Sequence, residues 1–292
     1  MLHSAPRVDS RVGTPPRPSL AAAGLRSPFV STDALAYSLR SMTVTAITVY
    51  VTCMTKTAGV ATTPPLLEVR HLSKSYGRGG GRVRALDDVS LRIRHGESVA
   101  VVGKSGSGKS TLMHLLALLD TADSGEVLID GTDAARLSRT AVNRLRNRRF
   151  GFVFQQFFLT PGASVLENVV LPLTIAGVPT AERRRRGLAM LERFELADKA
   201  EKRATDLSGG QKQRVVLTRA LIAEPDLIFA DEPTGNLDSV TGATVEDELF
   251  ALNRDRGITL VIVTHDEALA ARCDRQIVIR DGRLVDLEGV AA

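Results

Sequence analysis

The stretch Gly103–Thr111, GKSGSGKST, constrains this chain more than any other feature in it. A largely apolar run, Glu97–Val102, precedes it, and a helical pattern follows as far as Leu119, so the local order is strand, glycine loop, helix. Gly103, Gly108, Lys109 and Ser110 meet the spacing G-x-x-x-x-G-K-S/T. Two glycines at that separation let the backbone bend tightly and aim its N–H groups at an anion, and the helix N-terminus adds partial positive charge. The loop therefore reads as a phosphate cradle made of Gly103, Lys104, Ser105, Gly106, Ser107, Gly108, Lys109, Ser110 and Thr111. Lys109 is placed to reach the β and γ phosphates of a nucleotide, and the Ser110 hydroxyl to ligate Mg²⁺. A merely flexible glycine loop explains neither the strand before it nor the helix after it.

The rest of the chain alternates in the same way. Phe150–Phe154 and Thr259–Val263 read as buried strands, Asp226–Ala230 as a strand that is apolar after its first residue, and about Gly210–Ala223 as a helix. That order implies a parallel sheet covered on both faces. Before the loop, LLEVRHLSKSY from Leu66 and ALDDVSLRIRHGE read as short alternating strands, as does Ser124–Gly131 after it. A polar segment crowded with arginine follows. Asp281-Gly282, between IVIR and RLVD, predicts a two-residue hairpin turn. Residues 155 to about 206 carry proline and glycine breaks and a helical stretch around Glu182–Phe194, a mostly helical insert whose Arg183–Arg186 run reads as a solvated face. The expected fold is a phosphate-loop α/β domain: a doubly wound, mainly parallel sheet with an antiparallel β subdomain and a helical insert over about 156–206.

Asp231 and Glu232 stand where the apolar strand ends, which in an open α/β sheet is the ligand edge. Next to a phosphate loop, Asp231 suits the Mg²⁺ shell and Glu232 suits polarisation of an attacking water; a turn opening at Asp-Glu-Pro is the plainer alternative. His265 follows the run TLVIVT and so shares that edge. Further back, Ser208 and two glycines in Leu207–Arg214, LSGGQKQR, stand just before a helix. They offer a hydroxyl and bare backbone donors at a positive dipole end, a second phosphate site.

LSGGQKQR is the segment that distinguishes among phosphate-loop proteins, and with the motifs around it the chain resembles ATP-binding-cassette (ABC) ATPases over about residues 66–288. The resemblance implies that Tyr76 stacks on adenine, although one tyrosine before a glycine loop is more usually packing. It implies that Gln155 contacts the metal and links it to the helical insert, that Asp238 is the D-loop aspartate and one of the nucleotide-binding residues, and that His265 contacts the γ phosphate. It also implies Lys109, Gln155, Glu232 and His265 as catalytic groups, Ser110, Gln155 and Asp231 around Mg²⁺, and ATP held additionally by Ser208, Gly209, Gly210 and Gln211 of a second copy in a head-to-tail dimer. The phrases GFVFQQF, LENVVLPL and DLIFADEPTGNLDS are most similar to subunits of lipoprotein-release, macrolide-export and cell-division type systems. Such subunits serve a separate integral membrane permease, which implies a peripheral position on the cytoplasmic face of the cell membrane. Lys104, Lys212, the phrase FFLTPGAS and the loop residues 78–84, RGGGRVR, depart from the family's usual pattern, and the resemblance implies that FFLTPGAS lies where the insert meets the membrane partner.

Charge and composition remove other classes. Of the net +5, residues 1–64 hold six basic and two acidic side chains, so the remainder is nearly neutral and shows no global basic field for nucleic acid. Tryptophan is absent and aromatic residues make up 4%, against a base-stacking surface for single strands. Cys53 and Cys273 lack the spacing for a disulfide framework or a metal knuckle and fit a reducing compartment. No run of about 20 apolar residues exists, and Val44–Cys53 is about half the length a span needs. Residues 1–64 are rich in Pro, Ser, Thr, Ala and Arg and read as a disordered extension before a domain at 65–292, with Met54 as the expected true start. Two rivals share the core chemistry: a mechanical subunit controlling cell-wall enzymes, and a soluble ABC ATPase.

Overall fold

The structure is a computed structural model that describes residues 64–77 and 81–285, within the unit Thr63–Ala292. The expectations for the N-terminal extension, for Met54 as the start and for Cys53 lie outside the described residues.

The chain enters through two long strands, β1 (Leu67–Tyr76) and β2 (Val83–Ile93), paired antiparallel. It continues through β3 (Ser98–Val102) and α1 (Lys109–Leu116) to β4 (Ser124–Ile129) and β5 (Thr132–Asp133). Helix α2 (Arg139–Arg149) leads to β6 (Phe150–Phe154), then come α3 (Val165–Val169), α4 (Leu171–Ile175), α5 (Thr180–Arg193) and α6 (Gly209–Leu221). The remainder is β7 (Leu227–Asp231), α7 (Ser239–Arg256), β8 (Thr259–Val263), α8 (Glu267–Ala271), β9 (Arg275–Arg280) and β10 (Arg283–Val285).

Six strands form one sheet in the order β10-β9-β3-β8-β7-β6, parallel from β9 to β6 with β10 antiparallel at the edge. From β3 the chain reaches the far edge at β6, works back through β7 and β8, and crosses over β3 to β9. Burial on both faces explains the near-continuous apolar runs: every residue of β8 is buried, as are Leu227–Ala230 of β7. A second, antiparallel sheet, β2-β1-β4-β5, shares one core with α1 and one face of the parallel sheet. The other face carries α3, α5, α6 and α7 around a separate cluster that includes Val153, Val216, Leu249 and Ile262. Across β6 and β7 in the first core, Phe152 stacks on Phe229 and Phe150 meets it edge to face.

The hairpin expected at Asp281-Gly282 is present, with φ of 49° and 78° at the two residues, as a type I′ turn requires. The arginine-crowded segment after Gly131 is more ordered than its sequence pattern suggests, because it contains α2. No residue of that helix is fully buried, so no apolar stripe marks it; Ser138 caps it by accepting from the Ala141 N–H, and Arg149 ties its end to Asp130 and Asp226.

Candidate nucleotide site

Sheet register assembles the site before any side chain is considered. Parallel pairing aligns Phe154 with Asp231, Asp231 with Val263, and Val263 with Val101. The residues that follow these positions, Gln155, Glu232, Thr264 and the Val102–Gly103 turn, therefore leave the sheet side by side at its carboxyl edge. Thr264 N–H donates to Val101 O at 3.2 Å and Glu232 N–H to Val263 O at 2.9 Å, fixing the three turns to one another.

Two glycines of the loop are required by their neighbours. A Cβ on Gly103 would lie 2.2 Å from Ile279 O, and one on Gly108 would lie 2.4 Å from Ala85 O, with φ of 155° and 107°. Gly106, by contrast, faces open space. Helix α1 begins at Lys109 with Gly108 as its cap and no side-chain cap bond, leaving its first N–H groups for an anion. Lys109 Nζ folds over the loop to donate to Gly103 O and Lys104 O at 2.9 and 3.0 Å. Lys104, Ser105 and Ser110 are exposed at the mouth and Thr111 is half-buried. Ser107 lies beneath the loop instead: its side chain is buried, and its Oγ has no hydrogen-bond partner among the described residues.

Glu232 sits in the left-handed region at φ 46°, a conformation that costs a non-glycine residue about 1–3 kcal/mol and turns its side chain towards His265. His265 Nδ1 lies 2.7 Å from Glu232 Oε1. That hydrogen bond, then the carboxylate charge, raises the imidazole pKa above its ordinary value. Burial, then the charge of Glu232, pushes the Asp231 carboxyl up. A carboxylate made uncomfortable in this way, at the same sheet edge as Gln155 and facing the helix that carries the Ser110 hydroxyl in its first turn, supplies oxygen donors of the kind a hard cation takes. Among the described residues no group of three or more His, Cys, Asp or Glu side chains is arranged to hold a metal by itself. The donors thus fit Mg²⁺ held by one carboxylate and a hydroxyl with phosphates completing its shell.

Tyr76 ends β1 and is 43% exposed as a residue. Its hydroxyl donates to Asp120 Oδ2 at 2.7 Å, and Lys74 Nζ lies 5.1 Å from the ring centroid. Gln155 packs against Gly235, where a Cβ would come within 2.9 Å of its Nε2, and its carbonyl accepts from Asn236 Nδ2 at 2.8 Å.

The signature turn is not brought to the phosphate loop. Ser208, Gly209, Gly210 and Gln211 instead line a cleft of about 610 Å³ together with Asn236, Leu237 and Asp238, and no residue of Gly103–Thr111 contributes to it. Ser208 and Gln211 form a capping box at the start of α6, each side chain accepting from the other's backbone N–H. Gly210 is needed because a Cβ there would lie 2.7 Å from Thr241 Cγ2, whereas Gly209 meets nothing closer than 3.8 Å. Asp238 caps α7, accepting from the Thr241 N–H at 3.0 Å and its hydroxyl at 2.7 Å, which holds its pKa below the ordinary carboxylate value.

Sequence reasoning passed over Gln213, Lys74 and Asp120. Gln213 is fully buried and donates to Pro233 O at 2.7 Å, joining the signature helix to the turn after Glu232. Its signal was present: it stands three, four and seven residues before the buried Val216, Leu217 and Ala220, on the apolar face of α6.

Comparison with known proteins shows the family. The family described as ABC transporter matches residues 86–235. The uncharacterized ABC transporter ATP-binding protein YbbA of Escherichia coli is 48% identical over 219 residues, 75% of this chain and 96% of that one. The lipoprotein-releasing system ATP-binding protein LolD of Bordetella pertussis is 48% identical over 222 residues, 76% and 96% of the two chains. The dimeric post-hydrolysis structure of the ATP-binding cassette MJ0796 bound to ADP and Pi has a TM-score of 0.70 and 40% identity, covering 75% of this chain and 97% of that chain. The chain accordingly belongs to the ABC transporter family, as one of its ATP-binding, ATP-hydrolysing subunits.

Proposed function

We propose that the working unit is a head-to-tail pair of these chains closing on two ATP molecules, and that it drives a separate membrane permease of the export or lipoprotein-release type. The observation that carries this reading is the separation of the two phosphate-facing turns. Gly103–Thr111 stands at the sheet edge with Asp231, Glu232 and His265, while Ser208–Gln211 opens onto a different cleft. A second copy facing the first supplies the missing turn. The dimeric form of the MJ0796 cassette and the names of the LolD relatives support the pairing and the membrane partner. Among the described residues no helix is long and apolar enough to cross a membrane; in this reading the permease provides the spans. With that partner the subunit sits on the cytoplasmic face of the membrane.

In this reading the loop N–H groups and Lys109 hold the phosphates, releasing Lys109 from its own carbonyls. Ser110, Asp231 and Gln155 hold Mg²⁺, which when bound neutralises phosphate charge. Glu232, fixed by its backbone and by His265, accepts a proton from the attacking water, and His265 steadies the γ phosphate. Replacing Glu232 by Gln keeps the shape and removes the base. The variant is expected to bind ATP, to lose about 10²–10⁴-fold in turnover, and to run as an ATP-dependent dimer by size-exclusion chromatography. Normal turnover refutes Glu232 as base. Co-purification from native membranes tests the permease: recovery without any membrane protein favours a soluble role.

A further inference from the structure

We propose that Lys74 and Asp120 are positioning residues for the nucleobase, locking the Tyr76 ring and tying it to the phosphate-binding helix. The inference rests on the reading of Tyr76 as the surface on which the base stacks, and deepens it.

Lys74 and Tyr76 are two residues apart on β1 and so share one face of the strand. Lys74 occupies a position on the inward row with Leu72 and is 9% exposed. A lysine at such a position is costly unless its charge and its donors are met. Here its Nζ donates to Asp120 Oδ1 at 3.0 Å and to Thr121 O at 2.5 Å, and it lies beneath the Tyr76 ring. Asp120 holds both neighbours at once, Lys74 through Oδ1 and the Tyr76 hydroxyl through Oδ2, while its own Oδ1 accepts from the Thr121 N–H at 2.7 Å. Burial alone pushes the Asp120 carboxyl up; the hydrogen bonds from Tyr76 and Lys74 bring it below its ordinary value, so it stays charged.

These contacts fix the ring at both its tip and one face, leaving the other side for a base. A tethered ring does not have to be ordered when ligand arrives, and a cation on one face of an aromatic ring is attractive in itself. Asp120 lies four residues past the end of α1, the helix that opens with Lys109. The Tyr76–Asp120 bond therefore sets the base platform relative to the phosphate cradle across two separate sheets. The function explains an arrangement that packing does not, because an apolar residue at position 74 would fill that space without needing Asp120.

The test uses the full-length protein, steady-state kinetics with ATP, and inhibition by inorganic tripolyphosphate, which has no base. Asp120→Asn and Lys74→Met are expected to raise KM for ATP about three- to tenfold, the loss of an ordered side chain, with kcat at saturating ATP retained. Tripolyphosphate inhibition is expected to stay at the wild-type level, and Lys74→Arg to restore part of the affinity. Tyr76→Ala is expected to raise KM at least as much, and Lys74→Met added to it to cost nothing more. An unchanged KM in Tyr76→Ala overturns the stacking reading itself. A raised KM there with wild-type KM in Asp120→Asn and Lys74→Met overturns the positioning role alone. Weakened tripolyphosphate inhibition in the isosteric Asp120→Asn shows a general structural role instead.

Discussion

Gly103–Thr111 and Leu207–Gln211 are both glycine-bearing turns at helix N-termini, yet they are held by different means. The phosphate loop is shaped from outside: carbonyls of Ile279 and Ala85, from other strands, close on Gly103 and Gly108, and α1 starts without a side-chain cap. The first N–H groups of α1 meet no side-chain cap, while the shape of the loop is already set. The signature turn is shaped from within, by the reciprocal Ser208–Gln211 cap, with one outside contact at Gly210. In the proposed pairing, the turn that holds the phosphates within one chain is pre-organised by the sheet, whereas the turn offered to a second copy needs only a stable helix start and an open approach at Gly209.

The largest effect is expected at Gly108. An alanine there must hold φ near 107° and also push the Ala85 carbonyl aside. Left-handed strain of about 1–3 kcal/mol and overpacking of about 1–3 kcal/mol give a combined loss of about 2–6 kcal/mol, from a total of about 5–15 for an ordinary domain. Denaturant unfolding of Gly108→Ala measures the loss, and calorimetry should find ATP binding abolished or nearly so. Wild-type stability and affinity in this variant break the idea that the sheet shapes the loop.

A smaller effect is expected on the signature side, and it is repairable. Gly210→Ala brings a methyl within 2.7 Å of Thr241 Cγ2, on a β-branched side chain held by Asp238, for about 1–3 kcal/mol. Thr241→Ser removes that methyl and keeps the hydroxyl on Asp238, so most of the loss should return in the double variant. Gly209→Ala should change stability by no more than about 0.5 kcal/mol, since nothing stands in its way, while lowering ATPase activity. Equal destabilisation by the two alanines would mean that Thr241 is not what fixes this turn.

Much of this contrast was legible in the residues. The runs Phe150–Phe154 and Thr259–Val263 become β6 and β8 because strands buried on both faces must be apolar throughout, and the glycine loop follows from its spacing. Helix α2 was not legible, because it buries no face and leaves no period to read. Nor was the pairing of Glu232 with His265: it depends on the register that puts Asp231 beside Val263, and on a left-handed backbone at Glu232 that its side chain does not favour. The Ser208–Gln211 spacing did carry a capping box, but beside two glycines its chemistry read first as a phosphate contact.

The smallest expected difference between the two regions is in how they respond to pH, and its sign differs. At the sheet edge, His265 has a raised pKa because it bonds Glu232. Its stabilisation is complete below the ordinary histidine value of about 6.5 and is lost as pH rises through the folded value. At the signature side, Asp238 has a lowered pKa because it accepts from the Thr241 N–H and hydroxyl. Its stabilisation is present above the ordinary carboxylate value of about 3.9 and is lost as pH falls through the folded value. Alkaline solution should therefore loosen the Glu232–His265 contact while the start of α7 stays protected, and the start of α7 should loosen only in strong acid. An NMR titration of the His265 ring is expected to give a pKa above 6.5 that moves back towards it in Glu232→Gln, with the α7 first-turn amides unmoved across the same range. Because His265 is 78% exposed, salt screens the effect, and raising ionic strength should shrink the shift. A His265 pKa at or below the ordinary value, or α7 amides that follow the alkaline transition, would show that the two regions are not independently held.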